Sequence, residues 1–239
     1  MKKNYFVKNV VATIFVASLS LSCNTNISQK TESAQAVGQQ QTQPQINYGD
    51  LVIKEPTDYL MIPVNSTGRD VEKEVGLDDY SRSSKRYNVL LYNFIFYRKQ
   101  DGASHLLLNK KAIINDFDLV EIKTPGQPST RVWLYQIIDQ DTNKDKKFNQ
   151  EDAVIGYISD LSGKNLQQVT PNNSKIINWV VVPGRKEIFI KIIKDSNKDN
   201  KFSAADQINF VKVNLAQPGI GQEIISGQIE QEIKSLIMK

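Results

Sequence analysis

Two short stretches of this 239-residue chain carry the same spacing of oxygen-bearing side chains. Residues 141–152 and 195–206 both fit the pattern Asp-x-Asn-Lys-Asp-x-Lys-Phe-x-x-x-Asp. Carboxylate and amide oxygens suit a hard cation such as Ca²⁺, which takes six to eight oxygen ligands. Oxygens at alternate positions converge only where the chain wraps around a single point. The repeated pattern therefore indicates a cation site in one or both stretches.

The pattern resembles the twelve-residue calcium loop of EF-hand and dockerin proteins, whose ligands stand at positions 1, 3, 5, 7, 9 and 12. The resemblance implies a structural Ca²⁺ cofactor and two ligand sets, with the backbone carbonyl serving at position 7. The first set is Asp141, Asn143, Asp145, Lys147, Asn149 and Asp152. The second set is Asp195, Asn197, Asp199, Lys201, Ser203 and Asp206. Phe148 and Phe202 fall at position 8, where the family keeps an apolar residue that pins the loop.

Several features depart from that family and leave a second interpretation open. Position 6, normally glycine, is Lys146 in the first loop and Asn200 in the second. Asn tolerates a left-handed backbone better than most residues, so the second loop is the better candidate. Position 12 is Asp rather than Glu, and the flanking apolar runs predict strands rather than helices. The alternative is a pair of hairpin loops whose Asp and Asn side chains only cap their own backbone amides.

Side chains suited to catalysis are few. The chain has one histidine, His105, and one cysteine, Cys23, which excludes multi-histidine metal centres, an internal disulfide and Cys-rich zinc sites. It has no nucleophile elbow, Walker loop or zinc-protease motif. Asp116 and Asp118 could form a glycosidase carboxylate pair, but acids alternating around an aromatic residue usually form the solvated face of a strand. We therefore expect no enzymatic activity.

The elements that position the loops are predicted to be strands. Apolar residues between 48 and 226 come in short runs bounded by turn residues, which predicts an all-β fold. The run 89–97 is almost wholly apolar, aromatic or β-branched, which predicts a strand buried on both faces. Further strands are predicted at 104–108, 113–122, 132–138, 154–159, 166–169, 176–182, 188–193, 208–213 and 223–225. Helical spacing in 227–239 predicts a short C-terminal helix that covers an open sheet edge or, alternatively, binds a partner.

Residues 157–171, after the first loop, resemble the blade signature of TolB-type, WD40-like β-propellers: a strand ending in Asp, a Gly-x-Asn turn and a strand ending in Leu-Thr, with Val169 in place of the Leu. The resemblance implies blades of four antiparallel strands. Residues 113–169 and 176–225 supply two such blades, and 58–108 a third, irregular one. The predicted fold is thus a partial propeller of three or so blade-like repeats. Since closure usually needs four blades, the sheets either stack openly or need another chain to complete the ring.

The amino terminus predicts export and a lipid anchor. Residues 1–22 have a basic start and an apolar stretch too short to span a bilayer, which is typical of a signal peptide. The stretch ends in Leu-Ser-Leu-Ser-Cys23, which resembles the lipobox of bacterial lipoproteins, although Ser20 replaces the usual Leu. That resemblance implies cleavage before Cys23 and diacylglycerol on its sulfur. Residues 23–45 are polar and low in complexity, which predicts a flexible tether before a β-repeat domain at 46–226.

These features together predict a protein held in a bacterial cell envelope, at the outer membrane and facing the periplasm. The chain also resembles uncharacterised bacterial lipoproteins with propeller-like repeats, a resemblance that implies no activity. The net charge of +4 comes mostly from lysines of the signal segment, so no nucleic-acid partner is expected. Calcium loops would stabilise a β-repeat module for protein interaction or scaffolding. The alternative is a carbohydrate-binding or weakly hydrolytic periplasmic protein in which Trp133 and Trp179 stack on a sugar, although both lie in apolar runs typical of a core.

Overall fold

Three antiparallel four-stranded sheets and one helix make up the computed structural model, which describes residues 45–67, 90–182 and 184–238. Sheet 1 contains β1 (Gln45–Tyr48), β2 (Tyr59–Thr67), β3 (Leu90–Arg98) and β4 (Ser104–Leu106). Sheet 2 contains β5 (Ile113–Ile122), β6 (Thr130–Ile138), β7 (Ile155–Ser159) and β8 (Gln167–Gln168). Sheet 3 contains β9 (Ser174–Val181), β10 (Glu187–Lys194), β11 (Gln207–Asn214) and β12 (Gln222–Glu223). Strands lie side by side in chain order in every sheet, which confirms the all-β prediction of blade-like, four-stranded repeats.

The sheets stack face against face through two buried clusters. Between sheets 1 and 2, one cluster includes Met61, Phe94, Phe96, Trp133, Tyr135 and Ile137. Between sheets 2 and 3, the other includes Leu134, Ile158, Ile188, Ile190, Ile192 and Val211. Alternate residues of a strand point to opposite faces, so β6 contributes to both clusters. Each large apolar side chain buried here stabilises the fold by about 1.5–3 kcal/mol.

Strand β6 is buried on both faces and β3 is not, which corrects the prediction for residues 89–97. Residues from Trp133 to Ile138 are all buried, so β6 has neighbours on both faces. In β3 only Phe94 and Phe96 are buried, and they face sheet 2. The other face of β3 is partly open because no described residue packs a further sheet against it. The apolar composition of 89–97 therefore exceeds what the described part of this chain buries.

Sheets 2 and 3 are related as repeats that turn the same face towards the preceding sheet. Tyr157 in β7 and Val211 in β11 hold the same place after their loops. Tyr157 packs in the cluster with sheet 1, whereas Val211 packs in the cluster with sheet 2. Tyr157 pairs with Tyr135 in β6, and Val211 pairs with Ile190 in β10. Between Tyr135 and the start of the first loop there is one more residue than between Ile190 and the start of the second loop. The two repeats therefore differ by a single residue inserted before the first loop.

Helix α1 (Gly227–Ile237) forms where it was predicted, and Ser226 caps its N terminus by accepting a hydrogen bond from the Ile229 amide. None of its residues is buried, and Ile229 and Ile233 remain 46% and 47% exposed. A helix covering a sheet edge would bury its apolar stripe, so that prediction is wrong. No helix among the described residues is long and apolar enough to cross a membrane. The predicted signal peptide, Cys23 and the tether up to residue 44 lie outside the described residues.

Candidate functional site

Both acidic loops connect the second and third strands of their sheets. The first, Asp141 to Asp152, joins β6 to β7, and the second, Asp195 to Asp206, joins β10 to β11. The strands fix the two ends of each loop side by side, because β6 pairs with β7 and β10 with β11 along their lengths. The residues between the paired strands must therefore reverse the chain direction. Since the sheets are repeats, the two loops occupy equivalent places in consecutive sheets.

The oxygens at positions 1 and 3 converge on one backbone amide in each loop. In the first loop the Asp145 amide donates to Asp141 Oδ1 at 3.1 Å and to Asn143 Oδ1 at 3.0 Å. In the second loop the Asp199 amide makes the same two bonds, also at 3.1 and 3.0 Å. The position-5 carboxylate accepts a hydrogen bond from the position-7 amide, at 2.8 Å in the first loop and 2.9 Å in the second. Three predicted ligand positions thus surround one turn of backbone.

Position 12 has a different partner set, since its carboxylate closes the base of the loop. In the first loop, Asp152 accepts from the amides of Thr142 at 2.8 Å and Asn149 at 3.1 Å. In the second, Asp206 accepts from the amides of Ser196 at 3.3 Å and Ser203 at 2.9 Å. Both aspartates are buried, with 0% and 7% of their surface exposed. The position-12 carboxylates therefore brace the backbone rather than face solvent.

Four residues in the loops hold a left-handed backbone, at positions 4 and 6 of each. The φ angles are 64° for Lys144 and 69° for Lys146, then 61° for Lys198 and 59° for Asn200. The position-1 carboxylate supports this turn because its Oδ2 accepts the position-6 amide, at 2.8 Å in the first loop and 3.2 Å in the second. The two loops thus share the turn that glycine makes easily at position 6, although neither has glycine there.

The remaining predicted ligands take local roles. Asn149 Oδ1 accepts from the Glu151 amide at 2.7 Å, and Ser203 Oγ accepts from the Ala205 amide at 3.2 Å. At position 8, Phe148 packs against the cluster of Ile113, Ile138 and Val154. Phe202 is half-buried in the second loop. At position 7, the backbone amides of Lys147 and Lys201 donate hydrogen bonds to the position-5 carboxylates.

Position 2 carries a role that the motif comparison did not identify. The Thr142 hydroxyl bonds to Asp152 Oδ1 and accepts the Ala153 amide, at 3.3 and 3.0 Å. The Ser196 hydroxyl makes the equivalent bonds to Asp206 and to the Gln207 amide. A hydroxyl residue at position 2 in both loops was the available sequence signal. It fastens the start of each loop to the start of the following strand.

Electrostatics differ from those of a preassembled metal cage. Among the described residues, no three His, Cys, Asp or Glu side chains are gathered closely enough to hold a metal ion by themselves. Amide and hydroxyl donors from Ser203 and Ser196 lower the pKa of the Asp206 carboxyl, although burial opposes them.

A carboxylate has about four lone-pair sites. Asp141 and Asp195 each accept two amide hydrogen bonds, which leaves capacity for a cation. Asp152 and Asp206 each accept four hydrogen bonds, so a cation would have to displace one of their donors. What each loop can offer is a mixture of carboxylate, amide and carbonyl oxygens.

The candidate residues outside the loops make contacts within their strands and with the core. Asp116 and Asp118 each accept the amide of the next residue in β5, at 2.8 Å. His105 stacks on Phe96 with ring centroids 5.6 Å apart. Trp133 is 2% exposed and belongs to the core, and Trp179 packs partly buried against the core between sheets 2 and 3. Neither tryptophan therefore presents an open stacking surface for a sugar.

Comparison with known proteins adds no relative. No protein family matches the chain, and neither a curated protein nor a solved structure does.

Proposed function

We propose that this chain is a lipid-anchored protein of the bacterial cell envelope in which two structural calcium loops stabilise a β-repeat module for protein interaction or scaffolding. The observation that carries the calcium proposal is the shared geometry of the two loops. Positions 1, 3 and 5 converge identically in sequences that differ at positions 2, 6, 9, 10 and 11. A plain polar hairpin has no need for the same side-chain types at the same alternate positions.

A bound cation would reduce the repulsion between carboxylates that the backbone amides compensate only in part. Asp141 and Asp145 carry like charges on one small turn, and so do Asp195 and Asp199. Backbone amides and nearby lysines reduce this repulsion, and Ca²⁺ would remove more of it because its charge sits between the carboxylates. Binding would require the position-12 carboxylate to exchange an amide partner for the ion. That cost predicts weak binding, in the range of extracellular calcium modules, about 10⁻⁴–10⁻³ M.

The decisive experiment is calorimetric Ca²⁺ titration of the EDTA-stripped full chain carrying Cys23→Ala. Two variants of the second loop separate the two interpretations: Asp195→Ala/Asp199→Ala, and Asp195→Asn/Asp199→Asn. Asn keeps one oxygen that can accept the Asp199 amide, but it lacks both the charge that Ca²⁺ needs and the second oxygen with which Asp195 accepts the Asn200 amide. For a calcium site, both variants lose one binding event, and in EDTA the Asn variant unfolds less easily than the Ala variant. For a simple capped hairpin, no variant changes a Ca²⁺ response.

Asp118→Asn/Glu121→Gln is the matched control, since it removes two acidic charges from exposed positions of β5. Ca²⁺ binding of this control should equal that of the unchanged chain. If the control loses as much Ca²⁺ binding as the loop variant, the heat reports general charge, and the calcium proposal fails.

The lipid anchor is tested separately, by labelling cells with palmitate. Incorporation should be lost in Cys23→Ala and should rise in Ser20→Leu, which restores the residue usual at that place of a lipobox. Labelling that persists without Cys23 would contradict the anchor.

A further inference from the structure

The outer face of sheet 1, which points away from sheet 2, forms a groove lined mainly by apolar side chains. The groove has a volume of about 620 Å³ and lies between strands β1 to β4 and the segment that follows β4. Ile46, Tyr48 and Leu106 line it and are 61%, 65% and 56% exposed. Small-molecule sites in proteins are concave, mostly apolar and about 300–1,000 Å³ in volume. The groove therefore has the size and the lining of a ligand site.

The groove has an apolar end and a polar end. At the apolar end, Ile95 in β3 pairs with Leu106 in β4. At the polar end, Leu90 in β3 pairs with Ser66 in β2. The hydrogen-bonding and charged side chains that line this polar end are Asn65, Ser66, Lys110 and Lys111. A ligand that fits both ends must itself be amphipathic.

The lysines reach the polar end through the segment after β4. Asn93 holds the start of this segment, because its side chain bonds to the Leu108 backbone at 2.9 and 3.0 Å. Lys111 Nζ then lies 5.0 Å from the centre of the Phe148 ring. Phe148 packs in the same cluster as Leu90, which marks the polar end of the groove. The ring contact thus places the Lys111 ammonium group at this end.

Of the two lysines, Lys111 carries the charge that no acid balances. Lys110 is paired with Asp139, whose carboxylate also accepts the Tyr157 hydroxyl at 2.7 Å. Among the described residues, Lys111 has no carboxylate partner and no acidic side chain lines the groove. The Phe148 ring orients the ammonium group without neutralising it. An anionic group at the polar end would therefore gain a favourable charge interaction.

The length of the groove matches that of one acyl chain. Its lining residues in β3 extend from Leu90 to Ile95, which is about 17 Å for a strand rise of about 3.4 Å per residue. The hydrocarbon core of a bilayer is about 30 Å thick, so one acyl chain of one leaflet spans about 15 Å. An acyl chain that begins at Lys111 therefore ends near Leu106.

We propose that the groove of sheet 1 binds one long-chain fatty acid, with its carboxylate at Lys111 and its acyl chain along β3 towards Leu106. This ligand site goes beyond the proposed interaction or scaffolding role, and it requires neither the lipid anchor nor bound Ca²⁺. The acyl chain would cover the exposed apolar side chains of the groove, and burial of its methylene groups would provide most of the affinity. Lys111 would fix the direction in which the ligand lies.

Other occupants fit the groove less well. A neutral apolar ligand leaves the polar end without a partner, and a cationic amphiphile places its charge against Lys111. A phospholipid has two acyl chains, whereas the length and volume of the groove suit one. A peptide strand would find no free backbone groups to pair with, because the groove lies on the face of a sheet and not along its edge.

Calorimetric titration of the full chain carrying Cys23→Ala with decanoate, well below its micellar concentration, tests the site. Decanol and decyltrimethylammonium carry the same chain with a neutral and a cationic head. We expect one decanoate per protein chain, about fivefold weaker binding of decanol, and still weaker binding of decyltrimethylammonium. Dodecanoate should bind up to about tenfold more tightly than decanoate, because two more methylene groups are buried.

Two variants separate the two ends of the groove. Lys111→Gln should weaken decanoate about fivefold and leave decanol unchanged, since only the charged head loses its partner. Leu106→Asp should weaken both ligands by about tenfold or more, because it places a charge beside the acyl chain. The matched controls are Lys191→Gln and Ile208→Asp on the outer face of sheet 3, and neither should change binding. Leu106 and Ile208 are both exposed, so melting temperatures of these variants should stay close to that of the unchanged chain.

Four results would overturn the inference: no binding of decanoate at millimolar concentration, binding only above the micellar concentration, equal affinity for the anionic and cationic amphiphiles, or equal losses in the groove variants and their controls. A groove covered by another copy or another protein would give the first of these results. Because the acidic loops supply none of the expected ligand contacts, a normal Ca²⁺ titration alongside any of these results would leave the calcium proposal standing.

Discussion

The residue at position 6 of each acidic loop bears a local conformational cost. Lys146 and Asn200 both have a left-handed backbone, which costs an ordinary residue about 1–2 kcal/mol but costs glycine nothing. Lys146→Gly should therefore raise the free energy of unfolding by about 1 kcal/mol. Asn200→Gly should gain less, because Asn tolerates this region better. Urea denaturation in EDTA measures both changes without a contribution from Ca²⁺.

Lys147→Gly provides the control for this prediction, since Lys147 is adjacent and its φ is not positive. Glycine there adds freedom to the unfolded chain without relieving strain, so stability should fall by about 0.5–1 kcal/mol. Equal gains at Lys146, Lys147 and Asn200 would contradict the left-handed strain as the cause.

The Asp206 carboxylate should make the second loop sensitive to acid. The amide of Ser203 lowers the pKa of Asp206 below the ordinary value of 3.8, so the unfolded chain binds this proton more readily than the folded chain. Its contribution to stability is complete above pH 3.8 and is lost as pH falls through the lower, folded pKa. Asp206→Asn should remove this part of the pH dependence of thermal unfolding between pH 5 and 2.

Asp118→Asn, on the exposed side of β5, is the comparison for the acid titration. It removes the same charge without touching either loop. If Asp118→Asn flattens the acid limb as much as Asp206→Asn does, general charge rather than the loop amides governs the effect.

At the level of elements, the turn after β7 holds sheets 1 and 2 together through a glycine. Gly163 has φ of 77°, and a Cβ there would lie 2.3 Å from the Phe96 ring in sheet 1. Gly163→Ala should lower the free energy of unfolding by about 2–4 kcal/mol, since it adds overpacking to left-handed strain. Gly126→Ala has similar strain, with φ of 71°, but nothing within 4 Å of the added atom. It should cost only about 1 kcal/mol, and equal losses in the two variants would exclude a packing role for Gly163.

The strands and loops could be predicted because short-range patterns determine them. Alternating and continuous apolar runs marked β5 to β11, and the duplicated loops placed the second and third strands of two sheets. β1 was missed because a strand of four residues with only Ile46 and Tyr48 as large side chains has little periodicity. The burial of β3 was overestimated because composition shows which faces are apolar and not which element covers them. The inserted residue before the first loop escaped notice because the loop motifs align without it.

The candidate site was predictable in its residues but not in their individual tasks. The spacing located every position of both loops, yet it did not distinguish position 12, which accepts backbone amides, from positions 1 and 3, which share one amide. Such differences depend on how the flanking strands orient the ends of the loop, which a linear motif does not contain. The position-2 hydroxyls were overlooked for the same reason.

At the scale of the whole molecule, the stack of three sheets leaves the outer faces of sheets 1 and 3 uncovered by any other described sheet. Internal packing buries both faces of sheet 2 but only one face each of sheets 1 and 3. Helix α1 does not compensate, because none of its residues is buried. The outer face of sheet 1 is apolar and partly open among the described residues, so its hydrophobic free energy is unused there. An open apolar face of this kind agrees with the interaction role that we propose.

Calcium should stabilise the molecule as a whole if it binds to loops that are intact only in the folded state. A ligand at 100 times its dissociation constant stabilises by about 2.7 kcal/mol for each site. Asp141→Asn/Asp145→Asn and Asp195→Asn/Asp199→Asn should each remove about half of the Ca²⁺-induced rise in melting temperature, and the combined variant should remove it all. Additivity is expected because the loops belong to different sheets and share no hydrogen-bond partner among the described residues. If either loop variant alone abolished the whole rise, the other loop would be a capped hairpin without a cation, and the duplication would reflect repeat geometry and not two calcium sites.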